Sequence, residues 1–172
     1  MDVFNHHTQV VDLLQKHFGD HPISGIEIGT QGAGLTKAIL LFCPNVFKLY
    51  TVDPWNHREG NLFEASHPQE EHDTVKGWAY TALEEYGERV EIMPITSDEA
   101  FTKITEPVDF VWIDGDHMIP AVEKDILNGL KIVRHGGILG GHDHNTVLEA
   151  INKTLAGREI HEGVDQTWWI YV

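Results

Sequence analysis

Apolar and polar positions along the chain fall into short runs that alternate between two periods. Between residues 7 and 18, Val10, Leu13, Leu14 and Phe18 share one helical face, and Gly19 stands just past the end. This predicts an N-terminal helix within residues 1–20. Residues 23–28, ISGIEI, are a brief apolar run and predict a buried strand. A glycine-rich turn follows, then a helical pattern through Leu35, Ile39, Leu40 and Phe42, broken by Pro44 and Asn45. Residues 47–52, FKLYTV, predict a second strand closed by Asp53. Residues 56–69 are polar, rich in histidine and without a period, so the segment 54–72 is predicted to be a lid or substrate loop.

The alternation then resumes. Pro68 opens a helix whose spaced positions are Val75, Trp78, Ala79, Ala82, Leu83 and Tyr86, with Gly87 as its stop. Residues 90–95 predict a third strand, with Thr96, Ser97 and Asp98 in a turn. Residues 108–113, VDFVWI, are continuously apolar apart from one acid, as in a strand covered on both faces. A helix from Pro120 turns Val122, Ile126, Leu130 and Val133 inward, with Asp125 on its surface. Arg134 and His135 suit its negative end and Gly136 its termination. Residues 137–141 predict a fifth strand. Thr146 with Glu149 has the spacing of a capping box for a helix through Ile151 and Leu155, ended by Gly157. The tail, 158–172, predicts two strands around a turn at 163–166. The sum is an α/β fold: a doubly wound, mostly parallel seven-stranded sheet with a C-terminal antiparallel hairpin and a ligand crevice at the strands' carboxyl ends.

Composition narrows the function classes. At 172 residues the chain suits one domain, residues 1–172. A formal charge of −15 argues against a nucleic-acid backbone or an anionic membrane as partner. The single cysteine, Cys43, rules out an intrachain disulfide and reads as a buried thiol. The opening MDVFNHHTQV lacks the build of a signal peptide, and no apolar run approaches spanning length, so a cytoplasmic protein is expected.

The chemistry is concentrated at strand ends. The first strand closes on Glu27, and Gly29, Thr30, Gly32 and Gly34 form the turn into the helix. Such a turn lets backbone N–H groups approach a ligand at a helix N-terminus. Its spacing, E-x-G-x-x-G-x-G, is not the dinucleotide pattern G-x-G-x-x-G. A carboxylate there would repel a pyrophosphate and suit a ligand carrying an amino group, which points to S-adenosylmethionine rather than NAD. Asp53, about twenty residues past the glycines, is placed to accept ribose hydroxyls, and Trp55 follows as a ring for adenine or for packing. Asp114, Asp116, His117, His142, Asp143 and His144 fall at or just beyond two further strand ends. His6, His7, His57, His67 and His72 read as solvated polar residues.

The run VDFVWIDGDHMIPAVEKDILNGLKIVRHGGILGGHDH, with the glycine turn and the V-D-P-W strand end, resembles the methyltransferase-24 family of class I S-adenosylmethionine-dependent methyltransferases, related to macrocin-type and catechol-type O-methyltransferases. The resemblance covers roughly residues 23–172. It implies that Glu27 and the backbone from Gly29 hold the methionine part of the cofactor, Asp53 the ribose, and Ser97 and Asp98 the adenine side. Asp114 and Asp143 match the divalent-cation positions of metal-dependent relatives, although strand-end acids also serve the cofactor's amino group. The third ligand would be His142 or His144, where relatives often carry Asp or Asn; imidazole shifts preference from magnesium towards manganese, iron or zinc. His117 is the first candidate for the base and Asp116 the second. The expected activity is O-methylation of a small molecule. A silent cofactor-binding protein and an NAD-dependent oxidoreductase are the alternatives. With no inserted cap domain, a homodimer is one way of completing the acceptor pocket.

Overall fold

A computed structural model describes residues 5–172. Its elements in order are α1 Asn5–Phe18, β1 Ile23–Ile28, α2 Gly34–Phe42, β2 Val46–Val52, α3 Gln69–Leu83, β3 Val90–Met93, α4 Ser97–Lys103, β4 Val108–Ile113, α5 Ile119–Ile132, β5 Val133–Gly141, α6 His144–Thr154, β6 His161–Glu162 and β7 Trp168–Tyr171. The first four residues of the predicted N-terminal helical segment lie outside the described residues.

The sheet has seven strands in the order β3-β2-β1-β4-β5-β7-β6. β1 to β5 are parallel, and β7 returns antiparallel to both β5 and β6. The order reverses between β1 and β4, the place where an open parallel sheet leaves a crevice at its carboxyl edge. β1 and β4 are buried at all six positions each, because helices cover both faces. One face packs Ile26, Val111 and Leu139 against Ala100 of α4, Val122 and Ile126 of α5, and Val147 and Ile151 of α6. The other packs Leu49, Phe110 and Trp112 against Val10 and Leu14 of α1, Leu35 and Ile39 of α2, and Ala79 and Leu83 of α3.

Four local features differ from the sequence reading. Thr96, Ser97 and Asp98 do not form a simple turn. Thr96 caps α4 through a capping box with Glu99. That helix is seven residues long and buries only Ala100, so it leaves no apolar period to detect. α5 stops at Ile132, and Val133 already lies in β5. Arg134 therefore cannot answer a helix dipole; it donates to Asp109 Oδ1 at 2.9 Å and to the Pro107 carbonyl. α6 starts at His144 with Asp143 as N-cap and without the Thr146–Glu149 box. Asp125 is buried (2% exposed) and Trp78 is exposed (61%), the reverse of their expected faces.

The amino end of β4 carries a buried polar tie. Asp109 accepts the Ser24 backbone N–H at 2.7 Å as well as the Arg134 guanidinium. Replacing Asp109 by alanine would orphan that N–H and unpair Arg134. The expected loss is about 2 kcal/mol, read as a lower urea midpoint with unchanged slope.

Candidate functional site

The parallel ladder continues past the strand ends, and that continuation builds the site. Gly29 N–H donates to Val52 O (2.8 Å), Asp53 N–H to Met93 O (3.2 Å), Asp114 N–H to Ile28 O (2.8 Å) and His142 N–H to Ile113 O (3.0 Å). Five neighbouring strand tips are thereby held in register around one cleft of about 1090 Å³. Among the residues singled out from the sequence, Glu27, Gly29, Thr30, Gly32, Gly34, Asp53, Trp55, Ser97, Asp98, Asp114, Asp116, His117, His142 and Asp143 line it. His144 is not among the lining residues; its Nε2 stands 3.6 Å from Glu162 on β6.

On the β1 side, Glu27 lies under the glycine turn and is 1% exposed. Its Oε2 accepts the hydroxyls of Thr36 on α2 and Thr51 on β2, and Thr51 in turn meets Thr30. Burial pushes the Glu27 carboxyl up to about 8, against the opposing pull of the two hydroxyls. The turn itself is left-handed at Gly29 (φ +94°), Gln31 (47°) and Ala33 (65°). A Cβ on Gly29 would overlap the Asp114 carbonyl, and one on Gly34 would lie 2.8 Å from the His7 ring; Gly32 faces open space.

Asp53 fastens the turn to the tip of β2. Its Oδ2 accepts the Gln31 N–H at 2.9 Å and its Oδ1 the Trp55 N–H at 2.8 Å. Burial raises its pKa. Trp55 is a buried packing residue whose indole N–H donates to Gln31 O at 3.0 Å, so the strand end and turn are bonded in both directions. On the far wall, Asp125 approaches Ser97, and burial lifts its carboxyl to about 7 although the Ser97 hydrogen bond opposes the rise.

The ends of β4 and β5 carry the acids and imidazoles. His117 Nε2 is 2.6 Å from Asp143 Oδ2. His142 Nδ1 lies between two carboxylates, 3.2 Å from Asp143 Oδ2 and 3.5 Å from Asp114 Oδ1. Burial works against its charge, but the hydrogen bonds and charges of Asp114 and Asp143 prevail and push it up to about 10. Hydrogen bonds from His117 and His142 hold Asp143 well below the usual carboxylate range. Asp143 sits at φ 55°, which turns its carboxylate to these rings instead of to the N–H groups of α6. Asp114, His117 and Asp143 bring ligand atoms within 4.8 Å of one another, as do His6, Asp114 and His142.

The segment 54–72 folds over this cluster with a short 3-10 turn at Glu64–Ser66. Arg58 pairs with Asp116 Oδ2 at 2.8 Å, Asn61 donates to Asp116 Oδ1 at 3.2 Å, and the Phe63 ring lies 5.1 Å from His117. Asp116 also accepts the Met118 N–H. Its oxygens are thus engaged with the lid and its own turn. Sequence reasoning missed Arg58, Asn61 and Phe63 because a segment without a period gives no face to read. It also missed Thr36 and Thr51, although a hydroxyl inside an apolar run is itself a signal of a buried partner. His6 and His7, read as solvated, stand at the cleft.

Solved structures share this architecture. An O-methyltransferase from Bacillus cereus, in complex with SAH, is 16% identical with a TM-score of 0.67, over 97% of this chain and 80% of that one. The O-methyltransferase TomG from Streptomyces achromogenes, in complex with SAM, is 16% identical with a TM-score of 0.65, over 97% and 79%. An rRNA methylase from Streptococcus thermophilus is 12% identical with a TM-score of 0.65, over 94% and 92%. At these identities the likeness is one of fold. No curated protein matches the chain in sequence, and no helix among the described residues is long and apolar enough to cross a membrane. The model of a methyltransferase domain, type 24, matches residues 26–144, which take in every strand tip of the cleft, and the chain belongs to that methyltransferase family.

Proposed function

We propose that the protein is an S-adenosylmethionine-dependent O-methyltransferase acting on a small-molecule hydroxyl with help from a divalent cation. The observation that carries the reading is the sorting of one cleft into two parts. An amine-seeking wall of Glu27 and the left-handed turn stands beside Asp53, and a carboxylate–imidazole cluster lies across the β1–β4 reversal.

The residues fit the cofactor. Glu27 and the turn from Gly29 to Gly34 suit the aminocarboxylate end, Asp53 the ribose, and Ser97 and Asp98 the adenine side. Bound there, S-adenosylmethionine supplies a methyl group on a sulfonium, and the protein's share is alignment and the exclusion of water. Asp114 and Asp143 suit a hard divalent ion, which keeps several waters on one or two carboxylates and lowers the pKa of a bound hydroxyl. Of the two histidines flanking Asp143, His142 faces these carboxylates. His117, oriented by Asp143, is placed to take the acceptor's proton. Asp116 holds the lid through Arg58 and Asn61 rather than competing for that proton. The lid contacts close the site over a small acceptor, and a surface of formal charge −15 favours neither nucleic acid nor an anionic membrane.

Quenching of tryptophan fluorescence by S-adenosylhomocysteine and by NADH tests the cofactor. S-adenosylhomocysteine is expected to bind and NADH is not; the opposite order would make the protein a nicotinamide enzyme. The pH dependence gives a second check. In the empty cleft Glu27 is protonated below about 8. A bound ammonium favours its carboxylate, so binding releases a proton, and affinity should rise by up to about tenfold per pH unit towards pH 8, then level off. Glu27→Gln should flatten that profile. The raised pKa has the opposite sign for folding: its stabilising contribution is full at acid pH and is lost as pH rises from about 4.5 to about 8.

A further inference from the structure

We propose a second cation position on the outer side of Asp114, formed by Asp114 and His142 from the sheet and His6 from α1. It lies beside the carboxylate pair assigned above and shares Asp114 with it. Ligand atoms of His6, Asp114 and His142 lie within 4.8 Å of one another. The His142 Nδ1 to Asp114 Oδ1 separation is already 3.5 Å. A transition metal bound at about 2.0–2.2 Å from each ligand needs ligand–ligand spacings of about 3–4.3 Å, so small side-chain rotations close the site. The His6 ring stacks on His142, with centroids 4.2 Å apart and planes 29° from parallel. Asp165, in the turn before β7, holds His6 Nδ1 at 2.9 Å. A carboxylate fixing the ring of a metal-binding histidine sets its tautomer and orientation.

The donor chemistry separates the two positions. Two imidazoles and one carboxylate suit zinc, cobalt, iron or manganese. Asp114 with Asp143 suits a harder ion surrounded by water. An ion at the second position would tie α1 and the 164–166 turn to the ends of β4 and β5, fixing one wall of the cleft. The proposal uses no step of methyl transfer and can fail separately from the function proposed above.

Equilibrium dialysis of tag-free protein against Co²⁺ and Zn²⁺, with metal counted per chain, tests it. His6→Phe keeps a ring on His142 and removes the ligand nitrogen; His6→Ala removes both. Both variants are expected to lose one bound equivalent, or to bind it at least tenfold more weakly, and to lose the Co²⁺ visible absorption that two imidazoles produce. Equal stoichiometry and affinity in wild type and His6→Phe would overturn the second position. Asp143→Asn reports on the first position alone: its failure to change metal binding would count against the carboxylate pair and leave the His6 result standing.

Discussion

Replacing Gly29 by alanine is expected to cost more than about 3 kcal/mol of folding stability and to abolish S-adenosylhomocysteine binding. Gly29 has φ +94°, where an L side chain is strained whatever surrounds it. The space is also taken. A Cβ there would overlap the Asp114 carbonyl and lie 2.6 Å from Gly115 Cα. These neighbours are backbone atoms, so no rotamer change relieves the clash. The ends of β1 and β4 would have to part, breaking the Asp114 N–H to Ile28 O bond that sets the crevice. Gly32→Ala is the control: its Cβ meets nothing within 4 Å, and a stability change below about 0.5 kcal/mol is expected. Urea unfolding of the two variants beside the wild type gives both numbers, and similar midpoints would remove the steric argument.

Asp143→Asn should leave the fold intact and lower cation-dependent turnover by about 100-fold or more. Asparagine tolerates the left-handed backbone at this position, so α6 keeps its start. The loss is electrostatic. The carboxylate answers His117 at 2.6 Å and His142 at 3.2 Å, and it is half of the carboxylate pair. Without its charge, His117 loses its orienting partner and the ion one anionic ligand. Activity against cation concentration measures both effects, since kcat falls with the base and the half-saturating concentration rises with the lost ligand. Unchanged curves would remove Asp143 from the chemistry.

The sheet was readable because its central strands are buried on both faces. Residues 23–28 and 108–113 are bounded to the residue by that burial. Strand-end placement was readable for the same reason: once β1, β2, β4 and β5 run parallel, Glu27, Asp53, Asp114 and Asp143 must share an edge. What stayed hidden depends on tertiary contact. The short α4 buries one alanine, and the α5–β5 boundary is set by Asp109 drawing Arg134 to the bottom of the sheet. Arg58 and Asn61 gain a role only when the lid folds onto Asp116. His6 is 159 positions from Asp165 in sequence, and no periodicity joins them.

The most direct measurement is a crystal structure of the protein soaked with S-adenosylhomocysteine and Mn²⁺, with anomalous data at the manganese edge. The expected result is cofactor density along the turn from Gly29 to Gly34, ribose hydroxyls within hydrogen-bond reach of Asp53, and a manganese peak between Asp114 and Asp143. Cofactor density elsewhere on the molecule, or an anomalous peak remote from both carboxylates, would contradict a single crevice that joins a sulfonium donor to a metal-held acceptor.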